Sequence, residues 1–188
     1  MNQRLSKPLL LVGLLLVLAA SLSAQRLKIT PDQLYLLLAT QKTSTMQKEL
    51  DEAASKGFRV IVGSPTSGTE VVLFLERVTT AEKPYQYLLL ATSRTKTMNK
   101  ELNKAAEENF RLIPSTMIQK KRMMGSPEVL LVMERPPDAK DFYEYKLLAT
   151  NRTRTLQKEV TEAKEEGFEL VGLVSRGEHM VIMEKKLE

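Results

Sequence analysis

The chain of 188 residues has no cysteine and no tryptophan, and a single histidine, His179. Without thiols it has no disulfide framework, no zinc–thiolate or iron–sulfur site and no cysteine nucleophile, so its stability must come from an apolar core. A lone histidine without thiol partners falls short of the ligand set that zinc needs, and no metal is expected. Aromatic residues make up 5% of the chain, too few to supply stacking platforms for single-stranded nucleic acid or sugars. Glycine-rich phosphate loops, dinucleotide fingerprints and serine elbows are all missing. No cofactor and no nucleic-acid partner is therefore expected, and the chain reads as non-enzymatic.

Charge is nearly balanced, with 28 Lys and Arg against 23 Asp and Glu. That balance gives no argument for a polyanionic partner from net charge alone.

The first residues have a character of their own. Arg4 and Lys7 precede an unbroken apolar run over 9–20, and small residues follow at Ser21, Ser23 and Ala24. This is the pattern of a secretory signal peptide over 1–24, cut after Ala24 or after Ser23. The competing reading is an uncleaved anchor that holds the protein at a membrane, since the run is at the short end of what spans a bilayer. Either way the protein is expected to be exported, to the periplasm or beyond the cell.

What is abundant is repetition. Tyr35-Leu-Leu-Leu-Ala-Thr40 returns as Tyr87-Leu-Leu-Leu-Ala-Thr92 and as Tyr145-Lys-Leu-Leu-Ala-Thr150. Each copy ends in an acid followed by a base: Glu76-Arg77, Glu134-Arg135 and Glu184-Lys185. A period of about fifty residues marks a supersecondary unit present three times, here over 33–79, 85–136 and 143–187. Within the first unit, residues 33–40 read as a strand. Met46, Leu50, Ala53 and Gly57 follow the helical period over 46–56, with Thr45 as its N-cap. Gly57, Asn109 and Gly167 are placed just past each helix, in left-handed geometry. Strands over 58–62 and 70–77, joined by a hairpin, complete a β-α-β-β unit.

A right-handed crossover makes the first two strands parallel, and the hairpin return fits between them. The expected fold class is thus α+β: three tandem β-α-β-β repeats, each a three-stranded sheet with one helix. Units this small are marginal alone, so they are expected to pack together, with a row of three small domains as the alternative.

Glu144-Tyr-Lys-Leu-Leu148 and Gly167-Phe-Glu-Leu-Val171 carry a resemblance. They resemble a bacterial domain-of-unknown-function family that opens on a Tyr-Lys-Val-like strand and has Gly-Trp-Glu-Leu-Val after its helix. Phe168 stands for the Trp, and Arg59 and Arg111 replace Glu169 in the first two copies. The resemblance implies a β-α-β-β fold and carries no catalytic residues across.

The most repeated polar feature is the turn before each helix. Lys42 and Thr43, then Arg94, Thr95 and Lys96, then Arg152, Thr153 and Arg154 put cations and hydroxyls at a helix N-terminus. Such a turn can hold an anion, and these residues are the candidate ligand-binding set. A plainer account is that the second threonine of each turn caps the helix and the cations are solvated. Lys120, Lys121 and Arg122, beside Met123 and Met124 in the long hairpin of the middle copy, are candidates for contact with a partner or a membrane surface. His179 occupies the strand position of Val71 and Val129 and is expected to be partly buried. Glu70 and Glu76 bracket a strand, as do their counterparts. They are about 20 Å apart, too far for paired carboxylate chemistry.

The expected function is an exported binding module for an anionic envelope polymer or an acidic protein. The alternative is an assembly protein that forms homo-oligomers by pairing sheet edges. An enzyme with a scattered site is the third reading.

Overall fold

The computed structural model describes residues 27–78 and 83–188. The expected leader, and residues 79–82 of the first linker, lie outside them. The protein is mixed α/β, with three helices and three separate small sheets among the described residues. Chain order gives β1 (Tyr35–Thr40), α1 (Thr43–Ser55), β2 (Phe58–Pro65) and β3 (Val71–Arg77). Next come β4 (Gln86–Thr92), α2 (Thr95–Glu107), β5 (Arg111–Leu112), a 3-10 turn at Pro114–Thr116, β6 (Ile118–Lys120) and β7 (Glu128–Arg135). The chain closes with β8 (Phe142–Thr150), α3 (Thr153–Glu165), β9 (Glu169–Ser175) and β10 (His179–Leu187).

The strand orders are β1-β3-β2, β4-β7-β5 and β8-β10-β9, with β6 also on β7. All pairings are antiparallel. The last strand of each sheet therefore sits in the middle, and the two strands flanking it run parallel to each other.

Each helix starts earlier than expected, and no threonine side chain caps it. The N-cap positions are Lys42, Arg94 and Arg152, so Thr45 lies in the first turn of α1 and is not its cap. The strand-final threonine bends the chain instead. The hydroxyls of Thr40, Thr92 and Thr150 accept from the amides of Lys42, Arg94 and Arg152 at 3.2, 3.1 and 3.1 Å. A hydroxyl bonded two residues along makes a side-chain turn, and here that turn feeds the strand into the helix. At the other helix ends Gly57, Asn109 and Gly167 have φ of 79, 63 and 92°, the left-handed geometry that glycine and asparagine tolerate at least cost.

Packing follows from alternation in the strands. Leu36, Leu38, Val71, Leu73 and Leu75 face α1, which contributes Met46, Leu50 and Ala53. The opposite side of that core is closed by Tyr87, Leu130 and Val132 from the second sheet. Val129, Leu131 and Met133 turn the other way, toward α2, where Tyr145, Met180 and Ile182 of the third sheet close the next core. So α1 and α2 each lie between their own sheet and the following one. The third core, around Ala163, Phe168, Val181 and Met183, has no such cover among the described residues. β7 accordingly reads as a continuous buried run, whereas β3 alternates.

The second strand of each sheet is irregular at one place. β2 and β9 slip register there, and the second sheet breaks into β5, the 3-10 turn and β6. Pro114 has no amide to give the ladder. Thr116 repairs the gap, its hydroxyl accepting from Val132 N at 2.9 Å and donating to Ile113 O at 2.7 Å. The segment is wedged between the neighbouring sheets. A Cβ on Gly63 would come within 2.7 Å of Ile118, and one on Gly172 within 2.0 Å of the Met117 sulfur. Gly172→Ala should therefore destabilise the protein by about 1–3 kcal/mol, read by urea unfolding. An unchanged midpoint would mean that Met117 swings aside freely.

Candidate functional site

The three turns are not equivalent in their surroundings. At the first, Gln41, Lys42, Thr43 and Ser44 line a groove of about 440 Å³ together with Lys121, Arg122 and Glu128. Thr43 and Ser44 are the first residues of α1, whose first turn holds no acid. This groove brings together one expected anion-binding turn and all three expected contact cations of the hairpin, two of them exposed. Lys120 sits in the wall and is buried, with its ammonium 2.6 Å from Gln41 O and 3.1 Å from Glu128. It ties the hairpin to the turn and does not face outward. Lys121 and Arg122 are exposed, as are Met123 and Met124 beside them.

At the second turn the Thr95 hydroxyl is already engaged. It donates to Glu178 and accepts from Arg176, each at 3.1 Å, while Arg176 also pairs with Glu178 at 3.2 Å. At the third turn Arg152, Thr153 and Arg154 are exposed. His179 is half-buried at the start of β10, its ring 3.3 Å from the Ser175 hydroxyl.

The tightest polar constellation lies between the sheets. Arg59 forks Glu134 through Nη2 at 2.9 Å and Nε at 3.1 and 3.2 Å. Tyr87 donates its hydroxyl to the same carboxylate at 3.0 Å and accepts from the backbone amide of Val60 at 3.1 Å. One junction later the pattern recurs: Arg111 forks Glu184, and Tyr145 donates to Glu184 at 2.7 Å while accepting from Leu112 N at 2.9 Å. Both arginines lie over a second tyrosine, Arg59 over Tyr85 at 5.0 Å and Arg111 over Tyr143 at 4.6 Å.

Helix side chains complete each junction by bonding the edge of the next sheet. Gln47 accepts from Leu89 N and donates to Tyr87 O, at 2.8 and 2.9 Å. Asn103 does the same for both main-chain groups of Tyr145, and Asn99 for Leu147 N. Burial holds the phenols of Tyr87 and Tyr145 well above their ordinary range, and the adjacent carboxylates add to the shift. Hydrogen bonding to Glu134 and Glu184 raises the Arg59 and Arg111 guanidiniums.

The alternation also accounts for the acid-then-base pair on the middle strand of each sheet. In the second and third sheets the acid faces the preceding sheet, as Glu134 and Glu184 do. In all three the base turns back over the phenylalanine that opens or immediately precedes the second strand of its sheet: Arg77 over Phe58 at 4.5 Å, Arg135 over Phe110 at 4.6 Å and Lys185 over Phe168 at 5.6 Å. Between these two arginine–glutamate–tyrosine latches runs a groove of about 710 Å³, lined in part by Arg59, Glu134, Arg111, Glu184, Asp141 and Tyr143. Its four central charged groups are consumed in pairs, and Asp141 is held by Lys186 at 2.9 Å.

No protein-family model, curated protein or solved structure matches the chain.

Proposed function

We propose that this is an exported, non-enzymatic binding protein built from three copies of one β-α-β-β unit, and that it holds an anionic envelope component at the first turn. One observation carries this reading: Lys42, Thr43 and Ser44 at the start of α1 share a groove with the exposed Lys121 and Arg122. Cations on two walls and a helix N-terminus on one of them suit a phosphate or carboxylate group. Exposed Met123 and Met124 suit the apolar part of a lipid or polymer beside it. At the second turn the companion cation, Arg176, is already paired with Glu178, and the third turn has no companion cation among the described residues, which narrows the candidate set to the first. A binding role fits the inter-sheet carboxylates better than catalysis does, because Glu134 and Glu184 are each saturated by an arginine and a tyrosine.

The test is binding to anionic and neutral vesicles and to an anionic envelope polymer, at low and moderate salt. Replacing Lys42, Lys121 and Arg122 together by Gln should cut anionic binding at least tenfold. The same change at Arg152 and Arg154 should leave it nearly intact. Equal losses in both variants, or binding indifferent to salt, would sink the proposal.

A further inference from the structure

The outer face of the first sheet repeats, residue for residue, the face by which the second and third sheets receive their predecessors. Tyr35 pairs in register with Glu76 as Tyr87 does with Glu134 and Tyr145 with Glu184. Leu37 and Phe74 stand where Leu89 and Val132, then Leu147 and Ile182, line the junction cores. In the junctions the tyrosines are 3% and 2% exposed, whereas Tyr35 is 56%, Leu37 53% and Phe74 40% exposed. Glu76 has no ion pair among the described residues. This is half of a latch, with its tyrosine, its carboxylate and its apolar floor in place and no arginine to close it among the described residues.

The far end of the molecule differs. There α3 presents the outgoing side that α1 and α2 use in the junctions, yet two of its contact positions have changed. Buried Ala54 and Ala106 are replaced by Lys164, and the latch arginines by Glu169. Lys164 and Glu169 pair with each other and are well exposed. Leu170 and Leu173 remain exposed at this end, so its apolar character is not wholly lost. Even so, Glu169 would meet Glu76 with like charge if one chain stacked on another. A polar terminal unit that stops a stack is the usual cap of a repeat array. Here one end is capped and the other is open.

We infer that the Tyr35–Leu37–Phe74–Glu76 face is a docking socket for a different polypeptide. Its partner presents a strand–helix–strand surface with an amide side chain on the helix and an arginine on the following strand. The two internal junctions define that chemistry: Gln47 with Arg59, and Asn103 with Arg111. The arginine closes on Glu76, and a backbone amide of the partner reaches the Tyr35 hydroxyl. Charge at Glu169 keeps a second copy of this chain from being that partner.

The probe is this chain itself, refitted at its capped end. A plug-only variant carries Lys164→Ala and Glu169→Arg to restore the outgoing contacts, with Glu76→Arg to destroy its own socket. All three changes lie on exposed or half-exposed positions, and circular dichroism verifies folding. Titrated into the wild-type chain, it should form a one-to-one complex by light scattering and calorimetry. Tyr35→Ala with Glu76→Arg in the receiving chain should weaken that complex at least tenfold. Failure of the folded plug variant to bind, or binding indifferent to the socket changes, overturns the proposal. So does concentration-dependent association of the wild type through Tyr35 and Glu76, because the occupant would then be the same chain. Should the plug variant misfold, Lys164→Ala with Glu169→Arg alone tests the same contact. That chain should polymerise head to tail, and its staying monomeric while folded overturns the proposal.

Discussion

Arg59→Met should lower the stability of the protein by about 3 kcal/mol at neutral pH, far more than loss of an exposed arginine ordinarily costs. The reason is the partner left behind. Glu134 is nearly shut off from water, and without the guanidinium it keeps only the Tyr87 hydroxyl. A buried carboxylate deprived of its counter-charge is destabilising even where the intact pair adds little. Arg59 itself is half-exposed, and water entering along the groove beside it keeps the loss from growing larger. In a protein of this size the change should lower the melting temperature by about 6–12 °C. Adding Glu134→Gln should recover most of the loss, since an amide can still accept from Tyr87 and carries no charge to desolvate. Arg111→Met and Glu184→Gln should behave alike at the second junction. A loss below about 0.5 kcal/mol for Arg59→Met would reduce the latch to an ordinary surface ion pair.

The second expectation concerns alkaline pH. The phenols of Tyr87 and Tyr145 are held protonated in the folded protein to well above pH 10, chiefly by burial. In the unfolded chain they ionise near pH 10. The folded state thus binds more protons than the unfolded one above that pH, and stability must fall as pH rises. The contribution of the two tyrosines is fully present below about pH 10. It is lost above it at about 1.4 kcal/mol per pH unit for each, or about 2.7 for both. Urea midpoints between about pH 9 and 11.5 should show the decline, and Tyr87→Phe should halve its slope while lowering the starting stability by about 1–2 kcal/mol. A slope unchanged in the Phe variants would assign alkaline unfolding to other groups.

What is legible in the sequence is what depends on near neighbours. Helical periodicity locates α1, and glycine or asparagine at 57, 109 and 167 marks the left-handed residue after each helix. The capping residue is misplaced because the second threonine of each turn looks like an N-cap, while the working hydroxyl belongs to Thr40, the last residue of the strand before. Lys120 reads as one of three loop cations, since nothing local shows that Gln41 and Glu128 draw it inward. The latches escape sequence reading for a stronger reason. Arg59 and Glu134 are 75 positions apart, and Arg111 and Glu184 are 73. Their signal is nonetheless present: a tyrosine and a glutamate recur in register in every sheet, while the arginine gives way to Glu169 in the last. A polar residue that changes sign only in the last sheet is the mark of a contact made between sheets.

The junctions also have a direction. Each is made by a finished surface on the earlier unit, the helix amide and the latch arginine, and by a tyrosine and glutamate that come later in the chain. The glutamate is on the last strand of its unit. Whether the chain emerges from a ribosome or from an export channel, it does so N-terminus first, so α1 and Arg59 precede Glu134, and α2 and Arg111 precede Glu184. Assembly is then expected to run in one direction, each later sheet closing over the helix and arginine that precede it in the chain.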